Sequence, residues 1–176
     1  IELQTLGAEN YLGVANPLTV PQGAPWPAGA ANAGQPAPLG YVDNDVYEAA
    51  RCFTGWGVNG TSGLFAYTDA NHDRFSKVAL NFGVLNFPAD QGFEVDGLQV
   101  LDLLAAHPGT GRFIARKLCR RLIADEPPPA LVDTVAAVFT ENWLAPDQLR
   151  LVYEAILLSD EFKTTWGEKV KRPVEF

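Results

Sequence analysis

Residues 14–40 contain no charged side chain and are broken by Pro17, Pro21, Pro25, Pro27, Pro36 and Pro38 and by Gly23, Gly29, Gly34 and Gly40. No helix runs through such spacing, because each proline removes a backbone donor and clashes with the preceding turn. The segment is therefore expected to be a long irregular Pro/Ala/Gly-rich loop over the surface, with polyproline-like pieces. Trp26 is its one large anchor. A proline-rich recognition segment is the functional alternative, but no basic-flanked PxxP pattern accompanies it.

Regular structure must come from the rest of the chain. Asp43 is placed as an N-cap, with acidic residues in the first turn where the helix dipole favours them. Val46, Ala49, Ala50 and Phe53 then recur at helical spacing, and Gly55 and Gly57 end the helix around Trp56. Residues 58–94 lose that period. Segments 63–68 and 77–82 read as short strands about the polar turn 69–73, so one small β-hairpin is expected. Residues 95–166 are helical again, with helices expected over 97–106, 108–124, 130–142 and 146–159. A short last helix, capped near Ser159, runs to Trp166. Pro108 suits the first turn of its helix, and Pro127, Pro128 and Pro129 close that helix at its far end. Connections of a few residues favour antiparallel neighbours. The expected fold is one mainly α domain over 1–176: an antiparallel helical bundle with one small β-hairpin and the long irregular loop.

Charge limits the partners. Thirteen Lys and Arg against 21 Asp and Glu give a net charge of −8. The isoelectric point near 4.7 argues against nucleic acid or an anionic membrane as the main partner. No apolar run approaches the roughly 18 residues of a membrane span. The chain has no methionine, and residues 1–7 read as the end of a helix closed by Gly7. It is expected to be the C-terminal part of a longer protein, whose missing portion, or another protein, would be its partner. Cys52 and Cys119 lie in amphipathic helices and are expected to be buried thiols; a single bridge would need an oxidising compartment.

Several groups could carry chemistry. Asp69, Asn71 and Asp73 place oxygen ligands at alternate positions of a turn, as a hard divalent cation requires. Arg74 and Leu80 stand where a calcium loop needs its glycine and its bidentate glutamate, and a hydrogen-bonded turn explains the same residues. His72 and His107 are the only histidines. With Asp73 they are the candidate catalytic or acid–base residues, and a mixed metal site would need both. His107 ends a helix, a position expected to favour the imidazolium. Residues 108–112 could bind an anion through free N–H groups at a helix start, although the phosphate-loop ending is absent. Arg112, Arg116, Lys117, Arg120 and Arg121 concentrate positive charge on one helix. They serve either to pair with carboxylates such as Glu48, Asp102 or Glu154, or, with Arg51, as an anion or cofactor site.

Five segments, in order along the whole chain, resemble a bacterial family catalogued as domain-of-unknown-function eighteen-hundred. They are the segment from Glu2 to Gly7; the segment from Gly40 to Trp56, with Asp45, Glu48, Arg51 and Thr54-Gly55-Trp56; His72-Asp73 with Lys77; the segment from His107 to Leu118; and Lys169 to Glu175. Gln4 stands where the family has His, Arg74 where it has Gly, and Gly111 where it has Ala. If the family histidine is a ligand, Gln4 weakens a metal or catalytic site here. The resemblance implies a longer parent protein and a secreted or periplasmic origin. It brings no reaction.

Two functions follow. The first is a non-catalytic exported scaffold or interaction module, whose polar residues are helix caps and buried ion pairs. The second is an enzyme or cofactor- or metal-binding fragment. In that case Glu2, Glu48, Arg51, His72, Asp73, His107, Thr110 and Lys117 would line one pocket, with Arg51 and Lys117 holding an anion. The placement of His72 relative to His107 separates the two.

Overall fold

The computed structural model describes residues 4–80, 86–92 and 94–167. Within them the chain is mainly helical, with α1 Asp43–Cys52, α2 Val95–Ala106, α3 Pro108–Leu122, α4 Pro129–Glu141, α5 Gln148–Leu157 and α6 Asp160–Thr164. Every helix expected from the apolar period is present. The Ser159 hydroxyl accepts from the Phe162 N–H at 3.1 Å and starts α6. Of the helix expected to end at Gly7, residues 1–3 lie outside the described residues and residues 4–6 form a turn and bend rather than helix; Gly7 has a φ of 82° and turns the chain past Phe113 of α3.

The strands differ from expectation in two ways. The Pro/Ala/Gly segment is not irregular throughout: β1 Gln22–Pro25 and β2 Pro36–Pro38 pair antiparallel. Its prolines are tolerated because the donors come from residues between them. Trp26 donates to Gln35 O and Leu39 to Pro21 O, both at 2.8 Å. Trp26 is 2% exposed and anchors this ribbon to the core.

The hairpin also has another partner strand. β4 Phe65–Tyr67 pairs with the upstream β3 Trp56–Val58 in the register Trp56↔Tyr67, Gly57↔Ala66, Val58↔Phe65. The expected strand 77–82 contributes only an isolated bridge, Lys77 with Phe87, and residues 81 and 82 lie outside the described set. The upstream pairing wins because Asn59 closes a local turn, its side chain accepting from the Thr61 and Ser62 N–H groups at 3.0 Å.

The core has two parts. Leu6, Trp26, Tyr41, Cys52, Phe87 and Val100 join the ribbon, α1 and α2. Cys119, Ile123, Val135, Phe139, Val152 and Ile156 join α3, α4 and α5. Helices α3 and α4 approach closely at Gly111, where a Cβ would stand 2.4 Å from Thr140 Oγ1 and 3.0 Å from Ala136 O. The alanine that the family pattern carries at this position would not fit here without a shift.

Candidate functional site

One face of α1 carries Asp45, Glu48 and Arg51 at three-residue steps, so all three side chains point towards the same neighbour. That neighbour is the loop of residues 69–80. Arg51 Nε donates to Asp73 Oδ2 at 2.7 Å, and one terminal nitrogen donates to Glu48 Oε1 at 2.8 Å. Glu48 Oε2 accepts from the Val78 N–H at 2.9 Å, and Asp45 accepts from the Leu80 and Val42 N–H groups at 2.8 and 3.0 Å. The Arg51 guanidinium holds the Asp73 carboxyl at about 2, well below its usual range. Burial pushes the Asp45 carboxyl upward, against the pull of its two backbone donors.

The first turn of α2 closes the cluster from the other side. The Lys77 ammonium donates to Asp96 Oδ2 at 2.7 Å, to Phe75 O at 2.9 Å and to Asp73 O. Three donors thus meet three oxygens. Asp96 also accepts from Gln91 Nε2 at 2.6 Å. His72 fills the remaining side, with Nε2 3.3 Å from Asp96 Oδ2 and Nδ1 2.8 Å from Thr54 O. Thr54 links loop to helix: its hydroxyl donates to Arg51 O at 2.6 Å and accepts from the Asp73 N–H at 2.7 Å. The outcome is one run of polar side chains, half-buried at Glu48, Arg51 and Asp73 and buried at Lys77, Asp96 and His72, with each member engaged by protein groups.

His107 belongs elsewhere. It is the joint between α2 and α3, and its Nδ1 accepts from the Gly109 N–H at 2.9 Å. Its ring meets Trp26 edge-on at 4.9 Å. The expectation that a helix end would favour the imidazolium is corrected here. The same residue caps the start of α3 as an acceptor and is buried, so desolvation pulls its pKa down to about 4, with the Pro38 backbone acting in the opposite sense. The Thr110 and Gly111 N–H groups both turn back to His107 O. The first turn of α3 therefore spends its donors on His107, and the N–H groups considered for an anion at 108–112 are occupied.

The other candidates are dispersed. Asp69 pairs with Arg74 at the surface, the segment Asp69–Asn71 forms a 3-10 turn, and Asp73 is held by Arg51 and the Phe75 N–H. Among the described residues, no group of three or more His, Cys, Asp or Glu is arranged to hold a metal ion. On the basic helix, Arg112 pairs with Asp133, Arg116 lies 3.9 Å from Glu9, and Lys117 sits 4.1 Å over the Phe113 ring. For Arg112 and Arg116 the carboxylates are therefore Asp133 and Glu9. Glu48 turns to Arg51, and Glu154 to Arg150 at 2.9 Å. Cys52 and Cys119 are free and buried, and burial raises their thiols to about 12 and 11. Gln4 is exposed, and Glu2 lies outside the described residues.

The sequence pattern marked His72, Asp73 and Arg51 but not Asp45, Thr54 or Asp96 as their partners. Asp96 reads as an ordinary first-turn acid; its signal would have been two apolar neighbours, Val95 and Gly97, with no basic residue within helical reach to pair it.

Residues 1–176 match the profile of a protein of unknown function, DUF1800. The chain belongs to the DUF1800 family. The match covers the full sequence, so the cluster and the α2–α3 joint both lie within the DUF1800 region. No curated protein and no solved structure matches this DUF1800 chain.

Proposed function

We propose that this DUF1800 domain is a non-catalytic helical scaffold or interaction module of an exported bacterial protein, with α3, α4 and α5 packed as an antiparallel bundle. The observation that carries the reading is closure of the polar cluster. Lys77 has three oxygens for its three donors, Arg51 divides its guanidinium between two carboxylates, and His72 is bracketed by Thr54 O and Asp96. A catalytic group must turn at least one valence towards a reactant. Here the valences join the 69–80 loop to α1 and α2, which is what a structural ion network does. The separate duties of His72 and His107 support the same reading. Arg51 and Lys117 likewise serve different contacts, so the pocket imagined for an enzyme has no common floor. The exported setting rests on the family resemblance, and the partner is another part of the parent protein or a second protein.

Elemental analysis and an absorption spectrum of protein purified without chelator test the reading. The expected result is no stoichiometric metal or chromophore, and loss of stability without loss of any bound species in His72→Ala. A stoichiometric metal that disappears with His72→Ala or His107→Ala would overturn it.

A further inference from the structure

A cavity lies away from the polar cluster, between the β1–β2 ribbon and the facing surfaces of α3 and α4. It measures about 740 Å³, within the range of small-ligand sites. One wall is Pro25, Trp26, Pro27 and Pro38 of the ribbon, and the opposite wall is Ala136 and Ala137 of α4. Prolines fix the first wall and short alanine side chains leave the space in front of the second, so the cavity is built into the fold. The polar groups are few: Asn10, Arg112, Asp133, Thr140 and Glu141.

Two of them, Thr140 and Asn10, offer acceptors to the cavity. Thr140 gives its hydroxyl proton to Ala136 O at 2.9 Å and keeps acceptor lone pairs. Asn10 gives one amide N–H to Leu6 O at 2.6 Å and keeps its side-chain carbonyl together with its second N–H. Arg112 is neutralised by Asp133. Glu141 has no ion-pair partner among the described residues, so the uncompensated charge at the cavity is negative, on a chain of net charge −8. We propose that this cavity binds a small organic ammonium: an apolar, ring-sized body against Trp26 and the prolines, with a cationic nitrogen donating towards Glu141 and Thr140. The site goes beyond the scaffold reading and gives it a ligand.

The test is titration of the whole chain with 2-phenylethylammonium, followed by amide NMR, with 3-phenylpropionate as the anion of similar length. The ammonium is expected to give saturable shifts at Gly109 and Ala137 and to bind about tenfold more tightly than the carboxylate. Glu141→Gln is expected to weaken it about fivefold. Ala137→Trp, at an exposed position of α4, is expected to fill the cavity and abolish binding with the rest of the spectrum retained. Equal binding of the carboxylate, no saturation by about 10 mM, or unchanged binding in Ala137→Trp would each overturn the site. Conversion of the amine during titration would leave the site standing and overturn the non-catalytic reading instead.

Discussion

The Lys77 ammonium lies 2.7 Å from Asp96 Oδ2, and each side chain keeps only 1% of its surface in water. The pair ties a loop without regular structure to the first turn of α2. Two desolvated charges in such a place depend on each other: the pair as a whole contributes little net stability, while one charge left alone is costly. Lys77→Met is expected to destabilise the fold by about 3–5 kcal/mol. Lys77→Met with Asp96→Leu should recover a large part of that loss. Urea unfolding of the two single variants and the double variant checks the coupling. Additive losses would show that the pair does not act as a unit.

Asp73 makes the fold acid-sensitive in a defined window. Its carboxyl ordinarily titrates near 3.8 and is held at about 2 by Arg51. A carboxyl whose folded pKa is depressed adds stability above its unfolded value and loses it as pH falls towards the folded one. The pair's contribution is therefore complete above pH 3.8 and disappears between there and about pH 2. In Asp73→Asn the fall in stability across that window should be shallower, as measured by thermal unfolding at a series of pH values.

His107 predicts a second window of the same sign. Burial lowers its pKa from 6.5 to about 4, so the folded state holds the ring neutral. Its contribution is complete above pH 6.5 and is lost as pH falls towards 4. NMR of its ring C–H signals should give a midpoint near 4. His107→Ala removes the acceptor for the Gly109 N–H and is expected to cost about 1–2 kcal/mol for the cap, with more for the space left beside Trp26.

Trp56 rests directly on Gly97, where an added Cβ would stand 2.4 Å from the ring. Alanine is the better helix former, so an isolated helix would gain from Gly97→Ala. In this fold the indole must move, and it is flanked by Phe53 and Phe65 at 5.1 and 5.0 Å. The expected net effect is a loss of about 1–3 kcal/mol, read by chemical denaturation. Trp56→Phe in the same background should restore part of it.

Cys52 and Cys119 should be silent in the native state. Both are buried and free, with thiols raised to about 12 and 11 by burial. A thiol reagent such as DTNB is expected to label neither cysteine of the folded chain and both after denaturation. Rapid labelling of the native protein would contradict the packing around α1 and α3.

The helices were legible in the chain's own pattern, because amphipathic period, capping residues and proline stops act within one turn of the chain. The sequence marked Trp26 as the anchor of the proline-rich segment, Ser159 as the cap of α6, and the two cysteines as buried. Packing in three dimensions settled which strand faces Phe65–Tyr67: 77–82 carries the strand pattern, while 56–58 reads as a glycine-marked helix stop and is brought alongside by the turn at Asn59. It likewise decided the polar pairings. Arg51 meets Asp73 from 22 residues away and Lys77 meets Asp96 from 19, and no local pattern encodes which distant charge will satisfy a buried one. His107 shows the same division: its place at a helix boundary was legible, but whether that boundary holds a proton or expels it depends on burial, and burial is set by how α2, α3 and the ribbon pack together.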